Sequence, residues 1–97
     1  MAIVDISVVP VGTNTPSVSN FVKEAVEIIK KSGLKYQVNP MGTTIEGDLV
    51  KIFDLIKVIH QHLFVLGCQR VLTTIKIDER IDKYQTMEDK VKKVISE

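Results

Sequence analysis

Apolar residues recur at every second position from Ile3 to Val11, and at every third or fourth from Val18 onward. The alternation puts Val4, Ile6 and Val8 on one face and leaves Asp5 and Ser7 on the other beside Ile3 and Val9, the pattern of a half-buried strand bounded by Pro10 and Gly12. Val18, Phe21, Val22, Ala25, Ile28 and Ile29 then fall on one stripe of a helix. Lys30 and Lys31 suit the negative end of its dipole, and Gly33 stops it.

Residues 34–38 predict a short strand, and after a turn around Pro40 to Gly42 residues 43–46 predict its hairpin partner. Asp48 is placed to cap a second helix whose apolar stripe runs through Leu49, Ile52, Phe53, Ile56, Ile59, Leu63 and Leu66 before Gly67 ends it. A last strand is expected over residues 70–81, with Val71, Thr73, Ile75 and Ile77 facing one way and Leu72, Thr74, Lys76 and Asp78 the other. Such a strand would span about 40 Å at ~3.3 Å per residue, so part of it is expected to lack a partner within its own subunit. A terminal helix, residues 86–95, carries Met87, Val91, Val94 and Ile95 on one side and charges on the other.

The order β-α-β-β-α-β followed by a helix predicts an α+β, ferredoxin-like fold in a single domain over residues 1–97: a four-stranded antiparallel sheet with two helices on one face. The other face would mix Asp5, Ser7, Thr74, Lys76 and Asp78 with Ile3, Val9 and Leu72. That surface is too apolar for free solvent and too polar for a core, so sheet-to-sheet association into a homodimer or tetramer is expected.

Charge removes several classes of partner. Thirteen basic against twelve acidic side chains give no pull toward nucleic acid or an anionic membrane surface. The N-terminal run carries Asp5 and no basic region before it, unlike a secretory signal, and no apolar run approaches the ~18 residues of a membrane span, so a cytoplasmic protein is expected. One cysteine, Cys68, excludes an intrachain disulfide and a thiolate metal cluster. It follows a helix C-terminus, whose dipole disfavours a thiolate nucleophile. His60 and His62, two apart on a helix, point in different directions and do not form the i, i+4 pair that chelates zinc. Neither a metal nor a cofactor is expected.

Two polar stretches stand out. GTNTPSVS, residues 12–19, enters the first helix; a phosphate cradle there is physically open, but no GxxxxGK[ST] or GxGxxG is present and simple capping by Thr15 or Ser17 is favoured. NPMGTTIEGD, residues 39–48, supplies a turn through Pro40 and Gly42 and a cap through Asp48, which leaves Thr43, Thr44 and Glu46 unexplained.

The stretch VPVGTNTPSVSNFVKEAVEIIKKSGLKYQVNPMGTTIEGD resembles the thiamine-binding protein family of small ferredoxin-like proteins, and the likeness, which includes PMGTTIEG and the later IDER, covers essentially the whole chain. It implies a non-enzymatic binder of thiamine or its hydroxymethylpyrimidine part, assembled as dimers and tetramers through its sheets. The resemblance places the ligand near strand ends and a subunit interface, against Thr13, Ser17 and Ser19 of the first loop and Asn39, Met41, Gly42, Thr43 and Glu46 of the hairpin. Hydroxyls, backbone groups and one carboxylate would complement an aminopyrimidine, which offers both acceptors and a donor. Arg80 is expected near the same end, either on a phosphate or paired with Glu46 or Asp78. A reading of a different class is a regulatory or assembly module that responds to a small effector or anion without thiamine specificity.

Overall fold

The computed structural model describes residues 1–12 and 19–95. Its elements are β1 (Ala2–Val11), α1 (Ser19–Lys31), β2 (Lys35–Asn39), β3 (Gly42–Gly47), α2 (Leu49–Val65), β4 (Arg70–Glu79) and α3 (Met87–Ile95). The strands form one sheet in the order β2-β3-β1-β4, antiparallel throughout. This is the ferredoxin-like α+β arrangement with an additional C-terminal helix.

The alternation of β1 sends Val4 and Ile6 into the core with Ile45 of β3, where they meet Ala25 and Ile29 of α1 and Ile52, Ile56, Ile59 and Leu63 of α2. Val4, Ile45, Ile52 and Ile59 retain no exposed surface, and each such side chain contributes about 1.5–3 kcal/mol through burial. Asp48 caps α2 by accepting from the Lys51 backbone N–H at 3.2 Å. Past the helix, Gly67 takes a φ of 108°, which turns the chain toward β4 at little steric cost.

Register fixes the outer face. Ile3 lies opposite Asp78, Asp5 opposite Lys76, Ser7 opposite Thr74 and Val9 opposite Leu72. Val9 and Leu72 are exposed there, as the alternation predicts. The helix α3 crosses one end of this face: Met87 is buried, an ion pair joins Lys90 to Asp78, and the Met87 backbone bonds to Glu46, whose strand neighbours are Ile3 and Lys35.

Two expectations about the last strand are corrected. It stops at Glu79, because Arg80 folds back onto Asp82 through Nε at 2.8 Å and Nη2 at 2.5 Å. Nor does part of it lack a partner, since β1 is equally long and pairs with it from Ala2–Glu79 to Val11–Arg70. What is open among the described residues is the whole opposite edge of β4, which has no neighbour in the sheet order.

Candidate ligand cleft beside strand β1

A mismatch in strand length creates the site. The strand β3 pairs with β1 only from Ala2 to Ile6, whereas β4 accompanies it to Val11. The hairpin turns back at Pro40 and Met41, and Gly42 comes so close to β1 that a Cβ there would lie 2.6 Å from the Ile6 carbonyl oxygen. Beyond Ile6 the flank of β1 therefore opens into a cleft of about 270 Å³ beneath α1. Val8, Val22, Val26, Val38 and Met41 make its surface largely apolar, and Thr43 adds a hydroxyl. Ligand pockets commonly measure about 300–1,000 Å³, so this one suits a single small ring.

The structure brings some of the expected site residues together and separates others. Asn39, Met41, Gly42 and Thr43 all border the cleft. Met41 is 88% exposed at the hairpin tip, and Thr43 is buried on the helix-facing side opposite Ile6. Asn39 sends its side chain along the outer face, donating from Nδ2 to Thr44 Oγ1 at 2.8 Å and accepting from Gln37 Nε2 at 3.1 Å. Ser19 begins α1 and is exposed, outside the residues that line the cleft. Thr13 and Ser17, like the capping candidate Thr15, lie outside the described residues.

Glu46 does not reach the cleft. Register places it on the outer face, 4% exposed, where Oε1 accepts from the Met87 backbone N–H at 2.7 Å and Oε2 from the Tyr84 hydroxyl at 3.4 Å. Lys35 Nζ stands 3.6 Å from Oε2 and donates to Glu88 at 2.7 Å. That hydrogen bond to Glu88, reinforced by the charges of Glu46 and Glu88, raises the Lys35 pKa, and in return Lys35 lowers that of Glu88. The carboxylate thus serves the N-terminus of α3, a position whose free N–H groups and dipole favour an anion.

Arg80 is also apart from the cleft. It pairs with Asp82 and approaches Gln85, with neither Glu46 nor Asp78 among its hydrogen-bond partners. The Arg80 hydrogen bonds hold the Asp82 carboxyl down to about 2.

The remaining chemically suggestive groups have local partners. His60 Nε2 lies 2.6 Å from Thr73 Oγ1, and His62 Nε2 lies 3.0 Å from Glu24, so the two rings turn to different elements. Cys68 is buried, and desolvation pushes its thiol pKa up, away from a reactive thiolate.

Sequence reasoning missed the structural duty of Glu46, since Met87 is 41 positions away and no local pattern joins them. It also passed over Thr86 and Asp89, which exchange side-chain to backbone hydrogen bonds of 3.0 Å in a reciprocal cap. The spacing T-x-x-D carried that signal.

With this geometry in hand, kinship is informative. The sequence profile of the thiamine-binding protein family matches residues 4–95. The chain belongs to that family. Family members similar to it include the UPF0045 protein YqgV of Bacillus subtilis, 44% identical over 98 residues, with 97% of this chain and 94% of the relative covered. Among solved structures, a hypothetical protein of Methanocaldococcus jannaschii is 41% identical with a TM-score of 0.86, covering 96% of this chain and 94% of that one. A candidate thiamine biosynthesis/salvage protein of Thermotoga maritima is 31% identical with a TM-score of 0.83, covering 96% and 97% respectively. As in the family's name, a thiamine-related binding role is thereby supported. Among the described residues, no helix is long and apolar enough to cross a membrane.

Proposed function

We propose that this protein binds thiamine, or the hydroxymethylpyrimidine unit within it, in the cleft beside β1 without chemical turnover. The observation that carries this reading is a small, chiefly apolar cleft bordered by the PMGT segment, in a chain whose family is named for thiamine binding. Val8, Val22 and Val38 offer apolar contact to a flat ring, Met41 is an adaptable lip, and Thr43 and the nearby backbone supply hydrogen bonds. The volume favours one ring of thiamine inside and the remainder toward solvent.

Support for binding in place of catalysis comes from the one thiol, which is buried with a raised pKa, and from His60 and His62, which lie on α2 outside the residues that line the cleft. We include in the reading a cytoplasmic homodimer or tetramer. It would form through the open edge of β4 and the outer-face residues Val9 and Leu72, which leave backbone and apolar groups for a second copy.

Isothermal titration calorimetry with thiamine, its phosphates and hydroxymethylpyrimidine tests the ligand class; the chain has no tryptophan to report by fluorescence. Saturable heat with the pyrimidine compounds is expected. A flat titration at millimolar ligand would remove the proposal. Light scattering on the same samples reads the assembly, and a monomer at high micromolar concentration would remove that part.

A further inference from the structure

The ring that enters the cleft has to satisfy hydrogen bonds, yet among the described residues the cleft offers it little side-chain polarity. Thr43 contributes a hydroxyl, and Asn39 spends its amide on Thr44 and Gln37. Glu46 lies on the opposite face under α3. The backbone of β1 offers more.

The direction of the β1 peptide groups follows from the contacts of Gly42. Its Cα side sits against the Ile6 carbonyl oxygen, so that carbonyl points toward β3. Main-chain groups along a strand alternate between its two neighbours, so the N–H and carbonyl of Val8 point to the same side as those of Ile6. On the β4 side the ladder is complete through Val11, but on the β3 side it ends at Ile6. Val8 therefore presents both of its peptide groups where no described strand pairs with them, and it lines the cleft. Pro10, two residues further, falls on the same side. Proline belongs where no ladder N–H is required, and its presence on the central strand agrees with a local edge at this point.

We propose that the backbone of Val8 reads the ligand's edge: its N–H donates to a ring nitrogen and its carbonyl accepts from the exocyclic amine beside that nitrogen. An aminopyrimidine carries this acceptor and donor side by side, and an extended residue presents its N–H and carbonyl side by side in the complementary order. The thiazolium ring of thiamine has no such pair, so the pyrimidine is the part held in the cleft. Recognition then depends on strand geometry and is independent of the carboxylate at position 46. This inference rests on the binding function proposed above.

The test uses the intact, isotopically labelled protein and hydroxymethylpyrimidine. The amide resonance of Val8 is expected to shift on titration and to become protected from hydrogen exchange. An analogue with hydrogen in place of the exocyclic amine should bind at least tenfold more weakly. Val8→Pro removes the N–H on the open side without deleting a bond of the β4 ladder, and Val8→Ala loses the side chain but keeps the N–H; Val8→Pro should bind at least tenfold more weakly than Val8→Ala.

Saturable heat with an unmoved Val8 amide, or equal affinity for the amine-free analogue, would overturn the backbone reading and leave the binding function standing. A Val8 amide already protected without ligand would also overturn it, because a strand of a second copy would then occupy this edge. No heat with any pyrimidine compound would overturn both. The wild-type amide measurement decides even if Val8→Pro does not fold.

Discussion

The carboxylate of Glu46 accepts the backbone N–H of Met87 at 2.7 Å, so a side chain from the central hairpin caps a helix 41 residues downstream. The bond is buried, and deleting the acceptor leaves a donor that water reaches poorly. Glu46→Ala is expected to destabilise the protein by about 1–3 kcal/mol, within the range for orphaned buried donors. Loss of exchange protection in residues 87–95, with α1 and α2 unchanged, checks this. A uniform loss across all helices would contradict a local role.

Gly42 is tested by addition of one carbon. Its Cβ would meet the Ile6 carbonyl at 2.6 Å, and backbone cannot move aside as a flexible side chain can. Gly42→Ala should cost about 1–3 kcal/mol as overpacking, read by denaturant unfolding. It should also displace the hairpin tip and weaken ligand binding at the adjoining cleft. Unchanged stability would show that the hairpin is free to shift.

Asp48 gives a cleaner local prediction. Its side chain holds the Lys51 N–H at the start of α2, and Asp48→Ala should cost about 1 kcal/mol, with Asp48→Asn or Asp48→Ser recovering most of it. Urea midpoints of the three variants provide the comparison.

Acid should loosen the C-terminal part first. Asp82, Glu88 and Asp89 all have lowered pKa values: Asp82 through its hydrogen bonds from Arg80, Glu88 through Lys35, and Asp89 through the Thr86 cap. A carboxyl whose pKa is lower folded than unfolded adds stability above its ordinary value, and that stability is lost as pH falls through the folded value. The ordinary values are 3.8 for Asp and 4.5 for Glu, and Asp82 reaches about 2, so the loss should begin below about pH 4.5 and end near pH 2. Lys35 has the opposite sign: its raised pKa means that its contribution persists past 10.5 and disappears only at higher pH. Exchange rates of the α3 amides across pH would show both limits. These groups are exposed, and salt should shrink the effect.

Much of the fold could be read in the chain because period and punctuation agree. Alternation in β1, the helical stripe of α1 and the glycines at 33 and 67 each specify a local state that the packing then uses. The stripe of α2 was less exact: Phe53, adjacent to Ile52, is carried around the helix and remains 45% exposed, whereas Leu55 is buried. The outline of the candidate cleft was legible where its lining is local. PMGT supplies a turn whose position along β1 opens the cleft. Glu46 was not, because its partner depends on where α3 comes to rest over the sheet, whereas Arg80 turned to Asp82, a partner two positions on that the reading did not weigh. An ionised side chain in a polar stretch is equally suited to a ligand or to a distant helix end, and only tertiary placement separates the two.

Strand β1 sits between one neighbour drawn from positions 42–47 and another drawn from positions 70–79. During synthesis, then, β1 leaves the ribosome well before the segment that closes its second ladder. Chain connectivity of this kind slows folding by the entropy of closing long loops. The interval leaves a β-branched segment, Ile3 to Val11, half paired in the nascent chain, and that is when this protein should depend most on chaperones.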